Sequence, residues 1–229
     1  MQRSWVAVSN REREPRCAAC RSRVCSDGED CFGHADDHLA FYSDRADAGA
    51  ADGESGRSEG AVALLPDELR RMHRAATAIE GRHYCRETRL GEVILFAKEM
   101  GYTKLGVAFC VGLSEEAEVV ERVLSRDFDV VSVCCKAGGI DKRLMEYEQI
   151  DESRFEAICN SAGQADLLNR AGTELNIICG LCVGHDAVFT ARSDAPVTTL
   201  IAKDRVLAHN PAAALWCRYI RRTLEPEAD

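Results

Sequence analysis

Twelve cysteines in a chain of 229 residues are the side chains best suited to chemistry, and they fall into two groups. The first is compact. Cys17, Cys20, Cys25 and Cys31 follow the spacing C-x2-C-x4-C-x5-C. Soft donors this close together can close a tetrahedral shell without help from the rest of the chain, and such a shell suits Zn2+ or a [4Fe–4S] cluster. The spacing resembles a zinc knuckle in outline, with Cys25 where that motif carries His. His34 and His38 stand just beyond and can replace one thiol. The competing reading is a set of loop thiols with no ligand.

The second group is dispersed, and its members close apolar runs. In DFDVVSVCCKAGGID (127–141), Cys134 and Cys135 end a β-branched run and Lys136, Gly138, Gly139 and Asp141 follow at once. KLGVAFC ends on Cys110, and LNIICGLCVGHD carries Cys179 and Cys182 before His185 and Asp186. Ligands of open α/β sheets bind beyond the carboxyl ends of the strands. If the three runs are neighbouring parallel strands, five thiols gather at one edge of one sheet. Adjacent strand residues point to opposite faces, so Cys134 and Cys135 can share a pocket only where the strand ends. Cys110, Cys135 and Cys182 are the strongest candidates there. Cys179, and Cys217 within the last helical pattern, read as small core residues. Cys159 precedes a helix capped by Asn160 or Ser161, a position that lowers a thiol pKa. Cys85, at a helix–helix junction, is either a further pocket ligand or a structural thiol. His185 and Asp186 can supply a ligand or a general acid/base, and Lys136 and Asp141 can hold an anion. The spacing of a P-loop is absent, as is any Ser-His-Asp arrangement.

The elements that must position these groups are legible in part. Leu69, Met72, Ala76 and Ile79 repeat at helical spacing after Pro66, and Gly81 suits a stop. Leu90, Ile94, Ala97 and Met100 predict a second helix ended by Gly101. A strand from Lys104 then leads into a helix capped by Ser114, with Glu115 and Glu116 in its first turn and Ala117, Val120 and Leu124 inward. The strand–helix–strand unit so formed is parallel and right-handed. VTTLIA predicts a fourth strand, Val206–Ala208 a hairpin partner at the sheet edge, and Asn210-Pro211 the cap of one final helix. The expected fold is α/β, a three-layer, mostly parallel sheet with flanking helices plus a small four-cysteine module. Its domains are a module over 1–42, a connector over 43–62 without large apolar side chains until Val62, and an α/β domain over 63–229.

Composition limits the function further. An apolar content of 46% provides for a sizeable core. A formal charge of −9 argues against a nucleic-acid partner. No run approaches a membrane span, and residues 1–16 lack the apolar segment of a secretory signal, so a cytoplasmic protein with reduced thiols is expected. Reduced, clustered cysteines mean metal or redox chemistry rather than a disulfide scaffold.

The runs YCRETRLGEVILFAKEMGYTKLGVAFC, VVSVCCKAGGIDK, CNSAGQADLLN and LNIICGLCVGHDAVF resemble a family of uncharacterised cysteine-rich bacterial and archaeal proteins. These are labelled metal-binding proteins or domains of unknown function. The resemblance runs from about Cys17 to Arg222, apart from the connector. It matches Cys17, Cys20, Cys25 and Cys31 in the first segment, and Cys85, Cys110, Cys134, Cys135, Cys159 and Cys182 in the rest. It implies metal binding and names no reaction. Cys179 and Cys217 have no counterpart in its pattern, which tells against a redox dithiol at 179–182. The leading expectation is a protein whose cysteine thiolates hold zinc or an iron–sulfur cluster, the latter as an enzyme of lyase or desulfidase type acting on a small anionic or sulfur-containing ligand. The alternatives are metal sensing, storage or delivery without catalysis, and thiol–disulfide exchange by Cys134-Cys135. Exchange is the weakest, because a disulfide between neighbours closes a strained ring.

Overall fold

The structure, a computed structural model, describes residues 15, 17–20, 23–31, 33, 35–42 and 66–225. His34, Leu65 and the connector expected over 43–62 lie outside the described residues. Two compact units divide the chain, Met1–Arg74 and Ala75–Asp229. The first holds 3-10 turns at Cys17–Ala19 and Val24–Asp27 and a short helix, α1 (Ala35–Tyr42). The division falls inside α2 (Asp67–His83), which runs past Gly81, the expected stop.

The second unit is built on four strands: β1 (Lys104–Phe109), β2 (Asp129–Cys134), β3 (Leu175–Cys179) and β4 (Val197–Ile201). All pairings are parallel, in the order β2-β1-β3-β4. The central strands are buried on both faces, as their largely apolar sequences require. α3 (Arg89–Met100) begins on the Thr88 side-chain cap and stops at Gly101, where φ is 70°. Arg89 at its start donates to Thr199 O at 2.7 Å and Thr198 Oγ1 at 3.1 Å, tying it to β4. α4 (Ser114–Leu124) connects β1 to β2, α5 (Ser161–Ala171) connects β2 to β3, and α6 (His185–Arg192) connects β3 to β4. α5 and α6 pack on one another. Right-handed crossovers place them on the face opposite α4, because the connection from β1 to β2 runs the other way across the sheet. The direction reverses between β1 and β3, which is the topological switch point.

One glycine makes the centre of the sheet possible. Gly106 of β1 lies beside Asn176 of β3, whose fully buried amide leans across it. A Cβ at 106 would run into Asn176 Oδ1 and stand 3.0 Å from Leu168 Cδ1. Thr173 Oγ1 donates to Asn176 Oδ1, and Asn176 Nδ2 to Ser193 Oγ, both at 2.8 Å, so the buried polar group is satisfied.

Several local expectations are corrected. Ser114 is not the cap of α4: a 3-10 turn at Val111–Leu113 leads into the helix, and Ser114 Oγ donates to Val111 O at 2.6 Å. Val206–Ala208 is a turn rather than a hairpin strand, because Asp204 Oδ1 accepts from Val206 and Leu207 N–H. The single final helix is two, α7 (Ala213–Trp216) and α8 (Arg218–Leu224), broken at Cys217, which is exposed rather than core. No helix among the described residues is long and apolar enough to cross a membrane.

Candidate functional site

Cys110 follows β1 directly, and its N–H donates to Cys179 O at 3.1 Å, the last ladder bond toward β3. Cys135 follows β2, its N–H on Phe109 O at 2.8 Å. Its own carbonyl takes Asn160 N–H at 2.7 Å, which draws Cys159 to the same edge. After Cys179 the chain turns at Gly180 (φ 72°), where a Cβ would stand 2.7 Å from Leu113 Cδ2, and the turn delivers Cys182. Cys110, Cys135, Cys159 and Cys182 therefore come from four separate segments to line one open cleft of ≈ 740 Å3 at the switch point.

Positive charge surrounds these sulfurs. Lys136 Nζ donates to Cys159 Sγ at 3.4 Å and to Ala157 O at 2.6 Å. Arg205 Nη2 donates to Cys182 Sγ at 2.9 Å. Burial alone would raise the Cys110 thiol, but Gly112 N–H, the Lys203 ammonium and the Cys135 thiol beside it bring it below its usual value. Cys135 goes the opposite way. Burial pushes it up, Val111 N–H on its sulfur at 3.3 Å offsets part of that, and the charges of Cys110, Cys159 and Cys134 push it further. Cys110 stands directly ahead of the 3-10 turn at Val111–Leu113, and Cys159 two residues ahead of α5. Cys179, fully buried, is pushed up to about 11 by burial and stays a core thiol.

Two buried polar atoms at this edge have no hydrogen-bond partner among the described residues, Gln164 Oε1 and His185 Nδ1. Both residues line the recess beneath the cleft together with Cys110, Cys135, Cys159 and Cys182. The Gln164 amide cannot be turned over to help. Its Nε2 donates to Phe109 O at 3.1 Å and Val133 O at 2.7 Å, and reversal would set oxygen against two carbonyls.

Other expected residues stand elsewhere. Cys85 is exposed on the turn after α2 with φ 55°, and it does not line the cleft. Cys134, the last residue of β2, takes the opposite pleat from Cys135 and is absent from the lining; its sulfur accepts Lys136 N–H at 3.5 Å. Asp141 is engaged by Arg143, at 2.5 Å from Nη2, which holds its carboxyl below the usual range, and does not line the cleft. Asp186 faces a different hollow, with Ala187 N–H on its carboxylate at 2.8 Å. His185 and Lys136 do line the cleft. Lys203 and Arg205 were not expected. The signal that could have found them is the same carboxyl-edge rule applied to β4, whose end lies two residues before Lys203.

In the first unit, Arg23 sits at φ 49° and its N–H donates to Cys20 Sγ at 3.4 Å. Cys31 is raised by burial and then by the charges of Cys25 and Cys20, so these three thiols lie within electrostatic reach of one another. Among the described residues no three Cys, His, Asp or Glu side chains stand in the arrangement of a metal shell. In the cleft the outer thiols are turned toward their own cations, Cys159 to Lys136 and Cys182 to Arg205.

A family model described as a protein of unknown function (DUF1847) matches residues 54–200. The chain belongs to the DUF1847 family. It is 40% identical over 209 residues to the uncharacterised protein MJ0455 of Methanocaldococcus jannaschii, covering 91% of this chain and 97% of that one. No solved structure matches it. Within the span of the DUF1847 model fall all four cleft cysteines, but not Cys17, Cys20, Cys25 or Cys31.

Proposed function

We propose that this DUF1847 protein holds an iron–sulfur cluster in the cleft through Cys110, Cys135 and Cys182, with Cys159 beside it and one iron left without a thiolate, and a second metal or cluster through Cys17, Cys20, Cys25 and Cys31. The convergence of four thiols from distant segments on one cavity carries the reading. The donor set is soft, and Gly112 N–H and the Lys203 charge favour the thiolate form of Cys110. Zinc would need all its sulfurs within about 2.3 Å of one point. A cluster offers each thiolate its own iron, and thiols arriving from separate segments to line a cleft suit it. Rotation about χ1 would turn Cys182 inward from Arg205. His185 Nδ1, buried without a partner, is placed to ligate or to move a proton. A cluster iron without a thiolate supplies a Lewis acid, and lyase or desulfidase chemistry is the class this arrangement serves.

The test is purification without air, followed by iron, sulfide and zinc analysis and a visible spectrum. A brown protein with iron and acid-labile sulfide is expected, its cleft share lost on joint Cys110→Ser, Cys135→Ser and Cys182→Ser substitution. Cys17→Ala with Cys20→Ala should remove only the other site and leave the α/β unit folded. Colourless protein carrying stoichiometric zinc and no iron would overturn the cluster.

A further inference from the structure

The cleft carries more positive charge than its thiols account for. Five basic side chains line it against three acidic ones, in a chain whose formal charge is −9. Two of the acids are already engaged: Glu156 with Lys142 at 2.7 Å, and Asp151 with Arg154 at 2.6 Å. Among the described residues, Lys136, Lys203 and Arg205 have no carboxylate partner, and only the Glu148 side chain is left on the opposing side. The backbone that carries Lys203 and Arg205 is fixed, and Arg205 Nη2 rests on Cys182 Sγ. Asp204, between them, caps the turn through Val206 and Leu207 N–H, and its own N–H donates to His209 Nδ1 at 3.1 Å.

The other wall is apolar. Tyr147, Ile150 and Phe155 line the cleft and are 55%, 92% and 62% exposed. They stand on a loop whose ends are pinned by an antiparallel bridge between Asp141 and Ala157 and by the Lys142–Glu156 ion pair. The cleft volume of ≈ 740 Å3 falls within the usual range of about 300–1,000 Å3 for small-molecule sites. In the recess beneath it the buried Gln164 Oε1 still lacks a donor among the described residues.

We propose that the cleft binds a small organic anion, with its carboxylate or phosphate among Lys136, Lys203 and Arg205 and its apolar body against Tyr147, Ile150 and Phe155. This names the ligand class of the site read above as a cluster site, and rests on that reading for the reaction but not for the binding. The cations sit beside the thiols, so the acid group is brought next to the sulfur-lined recess. A positive cleft in a negative molecule also focuses anions toward it.

The test is calorimetry on the full chain purified without air, with phenyl phosphate, phenylacetate, inorganic phosphate and benzyl alcohol as probes. One or both aryl acids should bind, and which one does assigns phosphate or carboxylate. Inorganic phosphate should bind more weakly and benzyl alcohol not at all. Lys203→Gln with Arg205→Gln removes two charge-assisted contacts and should weaken aryl-acid binding by roughly a hundredfold. Ile150→Ala with Phe155→Ala should weaken the aryl acids and leave inorganic phosphate unchanged. Wild-type affinity should also fall as salt rises, a readout independent of whether a variant folds. Failure of both aryl acids to bind, or affinity indifferent to salt and to the loss of both cations, overturns the anion site. Iron and sulfide are measured on the same samples, so absence of iron with intact aryl-acid binding sinks the cluster alone.

Discussion

Gln164 bridges the carboxyl ends of the two strands that carry Cys110 and Cys135, and replacing it measures what holds that edge together. Its fully buried amide donates to Phe109 O at 3.1 Å and Val133 O at 2.7 Å. Gln164→Leu keeps most of the volume and removes both donors. Phe109 O keeps Cys135 N–H at 2.8 Å, so the main loss is at Val133 O. A buried acceptor deprived of its donor costs about 1–3 kcal/mol. Removal of the unpartnered Oε1 offsets part of this, so the expected loss is about 1–2 kcal/mol. Gln164→Glu separates polarity from packing. A carboxylate there would face two carbonyls in a dry site, which raises its folded pKa above the unfolded value of about 4.3. A raised acid weakens the fold progressively as pH rises past the unfolded value, and the penalty approaches about 3–5 kcal/mol near neutrality. Urea unfolding followed by circular dichroism, at acidic and at neutral pH, reads both effects. A Leu variant as stable as wild type, or a Glu variant whose deficit ignores pH, would refute the strand-bridging role.

Two further predictions concern the sheet that carries the cleft. Gly106→Ala drives a methyl into the Asn176 amide and strains its bonds to Thr173 and Ser193, so a destabilisation of about 2–5 kcal/mol is expected from overpacking plus lost buried hydrogen bonds. A thermal melt at the wild-type midpoint would show that Asn176 moves aside freely. Glu174 accepts from Thr103 N, Lys104 N and Thr103 Oγ1 at 2.6, 2.9 and 3.0 Å, and these bonds hold its carboxyl below the usual range. A depressed acid stabilises above its unfolded pKa and loses that contribution as pH falls through the folded value. Glu174→Gln should therefore cost about 1 kcal/mol near neutrality and converge with wild type in acid, as read from denaturant midpoints across pH.

Much of the frame was legible because its signals are local. Val130–Val133 and Leu175–Ile178 are β-branched or aliphatic runs broken only by Ser132 and Asn176, too short for helices, and each is followed by residues suited to a turn. Gly101 ends α3 in the left-handed conformation, as its position announced, and Gly172 ends α5 in the same way. Asn160 caps α5 through Gly163 N–H at 3.0 Å. The misreadings share a cause as well. Val206–Ala208 has strand-like residue types, but the Asp204 side chain takes the backbone N–H groups a ladder would have used.

What the chain determines by itself is that thiols close short apolar runs, and helical connections between such runs make parallel pairing the expected arrangement. Which of those thiols share a cavity was decided only in three dimensions. The pleat sends Cys134 and Cys135 to opposite sides, and the Asn160–Cys135 bond draws in Cys159 from a segment with no strand of its own. Lys203 and Arg205 reach the same edge because β4 lies beside β3 in parallel, and side-chain direction at a strand end is set by the neighbours it packs on rather than by spacing along the chain.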